Sequence, residues 1–143
     1  MTIKKNGTAH WTGTIKEGKG QVSTQSGALS EQPYGFNTRF EGKAGTNPEE
    51  LIGAAHAACY AMAMSLGLGD AGFTADDIDV KSVISLDEVE GGFAISGAHL
   101  TVTARIPGID QAKFDEVAQA TKEGCPVSKV LACDITMEAT LAS

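Results

Sequence analysis

Two cysteines in contrasting settings carry the strongest chemical signal in this chain. Cys59 sits in the middle of an uncharged run, 51–69, and Cys125 lies in the motif Gly124-Cys125-Pro126. A thiol inside an apolar helix is ordinarily inert packing. Given a distant thiol partner and a cation to ionise it, the same thiol becomes a redox centre. The thiolate is the nucleophile, and the sulfenic acid it forms condenses with a second thiol.

The surroundings of each cysteine decide what it needs. Cys125 follows a helix stop and precedes Pro126, which suits the first turn of a short helix through Val127-Ser128-Lys129-Val130. Free N–H groups at that point favour a thiolate, although packing is a competing reading. Cys59 is mid-helix, so no helix terminus lowers its pKa, and burial alone raises it. A reactive Cys59 therefore needs a cation brought to it. Arg39 is the candidate, on a short strand 36–40 where alternation places it opposite Phe36 and Phe40. A solvated surface arginine is the alternative.

Glu49 and Glu50 open the helix, where both suit capping and the helix dipole. Glu50 at the third helical position fills the capping role, which leaves Glu49 free to pair with Arg39 and fix the guanidinium plane. The sequence leaves open which of the two pairs with Arg39. Glu49 and Cys59 are ten residues apart, roughly 15 Å along a helix. If Arg39, Glu49 and Cys59 form one site, that site spans a dimer interface and uses the antiparallel helix of a partner.

Cys133 shares one strand face with Ile135, Met137, Ala139 and Leu141, and reads as a small buried hydrophobe. His56 lies three residues before Cys59 on the same helix face. With Cys59, Cys125 and Cys133 it could make a zinc site, against which no C-x-x-C pair is present. A Cys59–His56 dyad would suit a cysteine hydrolase, but no oxyanion-hole motif accompanies it. The favoured reading of His56 is a packed histidine. His10 and His99 lie on strands and carry no signal.

The elements that must position these groups read as α+β. Segments 9–15 and 21–24 alternate as hairpin strands, and Gln32-Pro33-Tyr34-Gly35 reads as a turn. Asn47, Pro48 and Glu50 mark a helix start with a capping box, and the helix runs to about Gly67 or Gly69. Two long strands follow, about 79–89 and 93–106, joined by Glu90-Gly91-Gly92. A second helix spans about 110–122, with Gly124 as its stop, and a last strand covers about 132–141. The expected architecture is antiparallel sheets curled around a central helix buried on all sides. The first hairpins have little core of their own, which pairing across a dimer would supply.

Composition sets the outer bounds. The chain has 143 residues, fitting one domain, 1–143. Acids outnumber Lys and Arg by 18 to 11, a net charge of −7. That argues against nucleic acid or an anionic membrane as partner. The N-terminus lacks the apolar segment of a secretory signal, and three cysteines at no framework spacing point to a reducing cytoplasm. The run 51–69 invites a membrane span, but its Ala, Gly, His56 and Ser65, without basic flanks or an aromatic belt, argue against one.

Three motifs in order carry a resemblance. Phe36-Asn37-Thr38-Arg39-Phe40, then Thr46-Asn47-Pro48-Glu49-Glu50 leading into His56-Ala57-Ala58-Cys59, then Gly124-Cys125-Pro126-Val127-Ser128 resemble the OsmC/Ohr family of osmotically inducible and organic hydroperoxide resistance proteins. Gln32-Pro33-Tyr34-Gly35 and Ala71-Gly72-Phe73-Thr74 fit the OsmC branch, and the match runs the whole length. The resemblance implies an intertwined homodimer and thiol-dependent reduction of organic hydroperoxides, with hydrogen peroxide used less well. By motif position Cys59 matches the peroxidatic cysteine and Cys125 the resolving one. Arg39 and Glu49 match the pair that activates the thiolate. It implies no metal or flavin, and an external dithiol reductant, dihydrolipoamide or a lipoylated protein. A non-enzymatic redox sensor or ligand-binding module using the same thiols is the alternative.

Overall fold

A computed structural model describes all residues, Met1–Ser143, in two compact units, Met1–Leu51 and Ile52–Ser143. The first holds a three-stranded antiparallel sheet of β1 (Gly7–Thr12), β2 (Lys19–Thr24) and β3 (Gln32–Tyr34), in that order, and a short helix α1 (Phe36–Phe40). Trp11 and Tyr34 meet with ring centroids 5.6 Å apart. No large hydrophobic side chain of this unit is fully buried, in line with the small core expected of its hairpins.

Two readings of this region are corrected. Residues 32–34 form a strand where a turn was expected. Pro33 is accommodated because β3 is an edge strand, paired only with β2. Its carbonyl accepts from both the N–H and the hydroxyl of Thr46, each at 3.0 Å. Residues 36–40 form a helix where a strand was expected. A Phe-x-x-x-Phe spacing satisfies both periods, since four residues is an even step and also one helical turn. The helix wins locally: Thr38 Oγ1 accepts from the Gly35 N–H at 2.9 Å, Arg39 N–H donates to the Gly35 carbonyl, and the Phe36 and Phe40 rings pack 4.9 Å apart.

Helix α2 (Pro48–Asp70) starts at Asn47, whose Oδ1 accepts from the Glu50 N–H at 2.8 Å. The return bond differs from a capping box: Glu50 accepts from the Asn47 side-chain amide, not its backbone. Proline at the first helical position and two acids in the first turn reinforce this start.

The second unit contains β4 (Asp77–Val89), β5 (Gly92–Arg105), α3 (Gln111–Gly124), α4 (Pro126–Val130) and β6 (Asp134–Ala142). β4 and β5 form a long antiparallel hairpin turned at Gly91, whose φ of +88° favours glycine. β6 pairs with β5 in parallel, so the expected antiparallel sheet is mixed, with β5 at its centre. The reason is the crossover through α3 and α4, which returns the chain to the end where β5 began. Along β5, Ala98, Leu100, Val102 and Ala104 are buried while Thr101, Thr103 and Arg105 face out. Phe114, Val117 and Ala118 of α3 and Tyr60, Met64 and Leu68 of α2 complete the core.

The expectation that α2 is buried on all sides is also corrected. Within the single chain it buries one stripe, Gly53, His56, Tyr60, Met64 and Leu68. A Cβ at Gly53 would lie 2.8 Å from the Ser82 carbonyl oxygen, so only glycine lets α2 approach β4 this closely. The opposite face, with Ala55, Ala58, Met62 and Leu66, is exposed. α2 is long and apolar enough to cross a membrane by length and composition, while its buried stripe packs in the protein core.

Candidate active site

The structure brings the sequence-predicted residues together as two pairs. The first is Arg39 with Glu49. The Arg39 Nη2 lies 2.7 Å from Glu49 Oε1, and its Nε lies 3.2 Å from each carboxylate oxygen. α1 supplies the arginine and the first turn of α2 the glutamate. Glu49 is the partner; Glu50 turns to Asn47 instead. The guanidinium also stacks over the Phe40 ring, 5.4 Å from its centroid. A charge held by a carboxylate on one edge and a ring on one face is fixed in plane.

The second pair is Cys59 with Cys125. Cys59 is half-buried on α2, and Cys125 is fully buried at the junction of α3 and α4. Pro126 opens α4, as expected, so the N–H groups of Val127 and Ser128 are free to point at sulfur. The two thiols are near enough to perturb each other's ionisation. Burial pushes the Cys59 thiol up. The Val127 N–H lowers it, while the Cys125 side chain and the charge there raise it further. Burial also pushes the Cys125 thiol up, but the Ser128 N–H, the Cys59 thiol, the Ser128 hydroxyl and the Val127 N–H hold it below its ordinary value. Cys125 is thus the better thiolate of the two, and the groups that shift Cys59 include no cation.

His56 is fully buried and packed, the favoured reading of it. Its Nδ1 lies 2.8 Å from Ser82 Oγ and its Nε2 lies 2.9 Å from Ser128 Oγ. Burial lowers its pKa. With both nitrogens occupied by serines, His56 forms no dyad with Cys59. His56, Cys59, Cys125 and Cys133 do not assemble into a group able to hold a metal. Cys133 is a half-buried free thiol just before β6, where Ile135, Met137, Ala139 and Leu141 pack against the core as expected.

Sequence reasoning missed two contributors, Ser128 and Ser82, and took Tyr60 only as an apolar neighbour of Cys59. Ser128 was visible, three residues beyond Cys125 on a helical turn, but its reach to sulfur was not drawn from that spacing. Ser82 is far away in sequence and only the packing of α2 on β4 presents it to His56. Tyr60 is buried beside the pair; burial first, then the Cys125 charge, raises its pKa, and its hydroxyl bonds the Ala118 carbonyl at 3.0 Å.

Fold and thiols together define an α+β dithiol protein. Residues 40–140 match the family model described as OsmC-like protein. The chain is 60% identical, over the full length of both, to Peroxiredoxin OsmC of Escherichia coli (strain K12). It is 32% identical over 112 residues, 77% of this chain and 79% of the relative, to the organic hydroperoxide resistance protein OhrB of Bacillus subtilis (strain 168). The crystal structure of the B. subtilis OhrB superposes with a TM-score of 0.67 at 25% identity, covering 96% of this chain and 98% of that one. The chain belongs to the OsmC-like family.

Proposed function

We propose that this chain is a thiol peroxidase that reduces organic hydroperoxides to alcohols. The observation that carries the reading is the neighbouring pair of free cysteines, Cys59 and Cys125, each shifting the other's ionisation. The likeness to a peroxiredoxin and to an organic hydroperoxide resistance protein supports it.

In this reading the Cys59 thiolate attacks the terminal oxygen of R–O–OH. The O–O bond breaks, an S–O bond forms, and the alkoxide leaves with a proton as the alcohol. Cys125 then attacks the Cys59 sulfenic acid; an S–S bond forms, the S–O bond breaks, and water leaves. An external dithiol, dihydrolipoamide or a lipoylated protein, restores both thiols by exchange. No step requires a metal or flavin.

Cys59 needs a cation for the first step, and Arg39, held by Glu49, is the one this reading assigns. The pair belongs to a second copy of the chain. The roughly 15 Å between Glu49 and Cys59 along one helix favours supply from a partner, and the exposed apolar face of α2 is a surface for that partner. The homodimer is thus part of the proposal.

The test is peroxide consumption by purified protein with dihydrolipoamide. The wild type turns over cumene hydroperoxide, and faster than hydrogen peroxide; Cys59→Ser loses at least ~1,000-fold; Cys125→Ser stops after one equivalent. A wild type that itself stops at one equivalent would sink the enzyme reading and leave a stoichiometric redox sensor.

A further inference from the structure

We propose that His56 and Ser128 are positioning residues for Cys125: Ser82, His56 and Ser128 form a one-directional hydrogen-bond chain that ends on the Cys125 sulfur and stabilises the reduced pair over the Cys59–Cys125 disulfide. This rests on the reading of Cys59 and Cys125 as a disulfide-forming pair.

The direction of the chain follows from proton counting. A serine hydroxyl has one proton. Ser128 stands in the first turn of α4, which Cys125 caps, and its hydroxyl is among the donors that hold the Cys125 thiol below its ordinary value. With its proton directed at that sulfur, the hydroxyl can only accept from His56, 2.9 Å away. His56 Nε2 therefore carries the ring proton. A fully buried imidazole with no carboxylate partner is neutral, so Nδ1 is bare and accepts from the Ser82 hydroxyl at 2.8 Å. Each buried polar atom in the chain is then satisfied, and no buried side-chain N or O lacks a partner. The direction is fixed at the sulfur end: with Cys125 as the acceptor, the single proton of each hydroxyl and the one ring proton of a neutral imidazole allow only this order.

Three segments far apart in sequence converge here: β4 gives Ser82, α2 gives His56, and α4 gives Ser128. Each bond in such a chain polarises the next. The imidazole N–H makes Ser128 a stronger donor than an isolated hydroxyl. That donor meets a full charge when Cys125 is a thiolate and none when Cys125 is in a disulfide, so it favours the reduced state. It also makes Cys125 the better leaving group during recycling. An incoming dithiol attacks the Cys59 sulfur, the S–S bond breaks, and Cys125 departs as thiolate. The second thiol of the reductant then displaces Cys59 from the mixed disulfide.

The test is the redox equilibrium of the full chain in dithiothreitol buffers, read by thiol labelling and peptide mass. Ser128→Ala should stabilise the Cys59–Cys125 disulfide about tenfold, a fall in potential of about 30 mV. His56→Leu should shift it the same way. Ser128→Thr, which keeps the hydroxyl, and His56→Gln, which keeps a donor toward Ser128, should return most of the shift. Thermal melts identify any variant that fails to fold, and the Ser128 pair decides the outcome if the His56 pair fails. An unchanged potential in Ser128→Ala, or the same shift in Ser128→Ala and Ser128→Thr, would overturn the proposal. The measurement uses no peroxide. A wild type without peroxidase turnover leaves it standing, whereas a wild type in which Cys59 and Cys125 never pair overturns both.

Discussion

His56 has exchanged water for two serine hydroxyls, and its buried ring is easier to keep neutral than to charge. Its folded pKa lies below the ordinary histidine value of 6.5. The unfolded chain therefore binds a proton more readily than the folded one in the window below about 6.5. Stability contributed by this residue is full above that value and is lost as the pH falls toward the folded pKa. The slope from this one group reaches at most about 1.4 kcal/mol per pH unit. Urea unfolding at pH 7.5 and 5.5 should show a larger loss in the wild type than in His56→Gln; equal losses would show that the imidazole is not held neutral. At this scale Cys59, Cys125 and Arg39 stood out as candidates from residue type and spacing. The choice between Glu49 and Glu50 was not legible, because both suit a helix start, and only the side-chain geometry separates them.

Helix α2 carries both a packed and an unpacked apolar face. Gly53, His56, Tyr60, Met64 and Leu68 repeat every three or four residues against the core. Met62 and Leu66, on the other side, are 76% and 69% exposed in the single chain. If that face covers a second copy, Met62→Asp combined with Leu66→Asp should convert a dimer to a monomer of 14.8 kDa in sedimentation. Wild type sedimenting as a monomer would remove the dimer from the account. The existence of the long helices and of the β4–β5 hairpin was readable from period and punctuation. The parallel placement of β6 was not, because it depends on where the α3–α4 crossover delivers the chain. α1 escaped because five residues cannot distinguish a period of two from one of 3.6 when the two aromatics stand four apart.

At the scale of the whole molecule, the chain delivers two prepared pairs, an arginine fixed by a glutamate and two free thiols that perturb each other's ionisation. Neither suffices for chemistry on a peroxide: a thiol without a cation is poorly ionised, and a cation without a nucleophile has nothing to activate. The fold-level assignment was legible because three motifs occur in order over most of the chain. The hydrogen-bond chain behind Cys125 was not, since Ser82 and Ser128 have no pattern linking them in sequence. The most direct measurement is a single turnover: one equivalent of cumene hydroperoxide added to fully reduced protein, with alcohol quantified and cysteines mapped by mass. The account predicts one equivalent of cumyl alcohol and a disulfide between Cys59 and Cys125, with Cys133 still free. No alcohol, or a disulfide through Cys133, would contradict it.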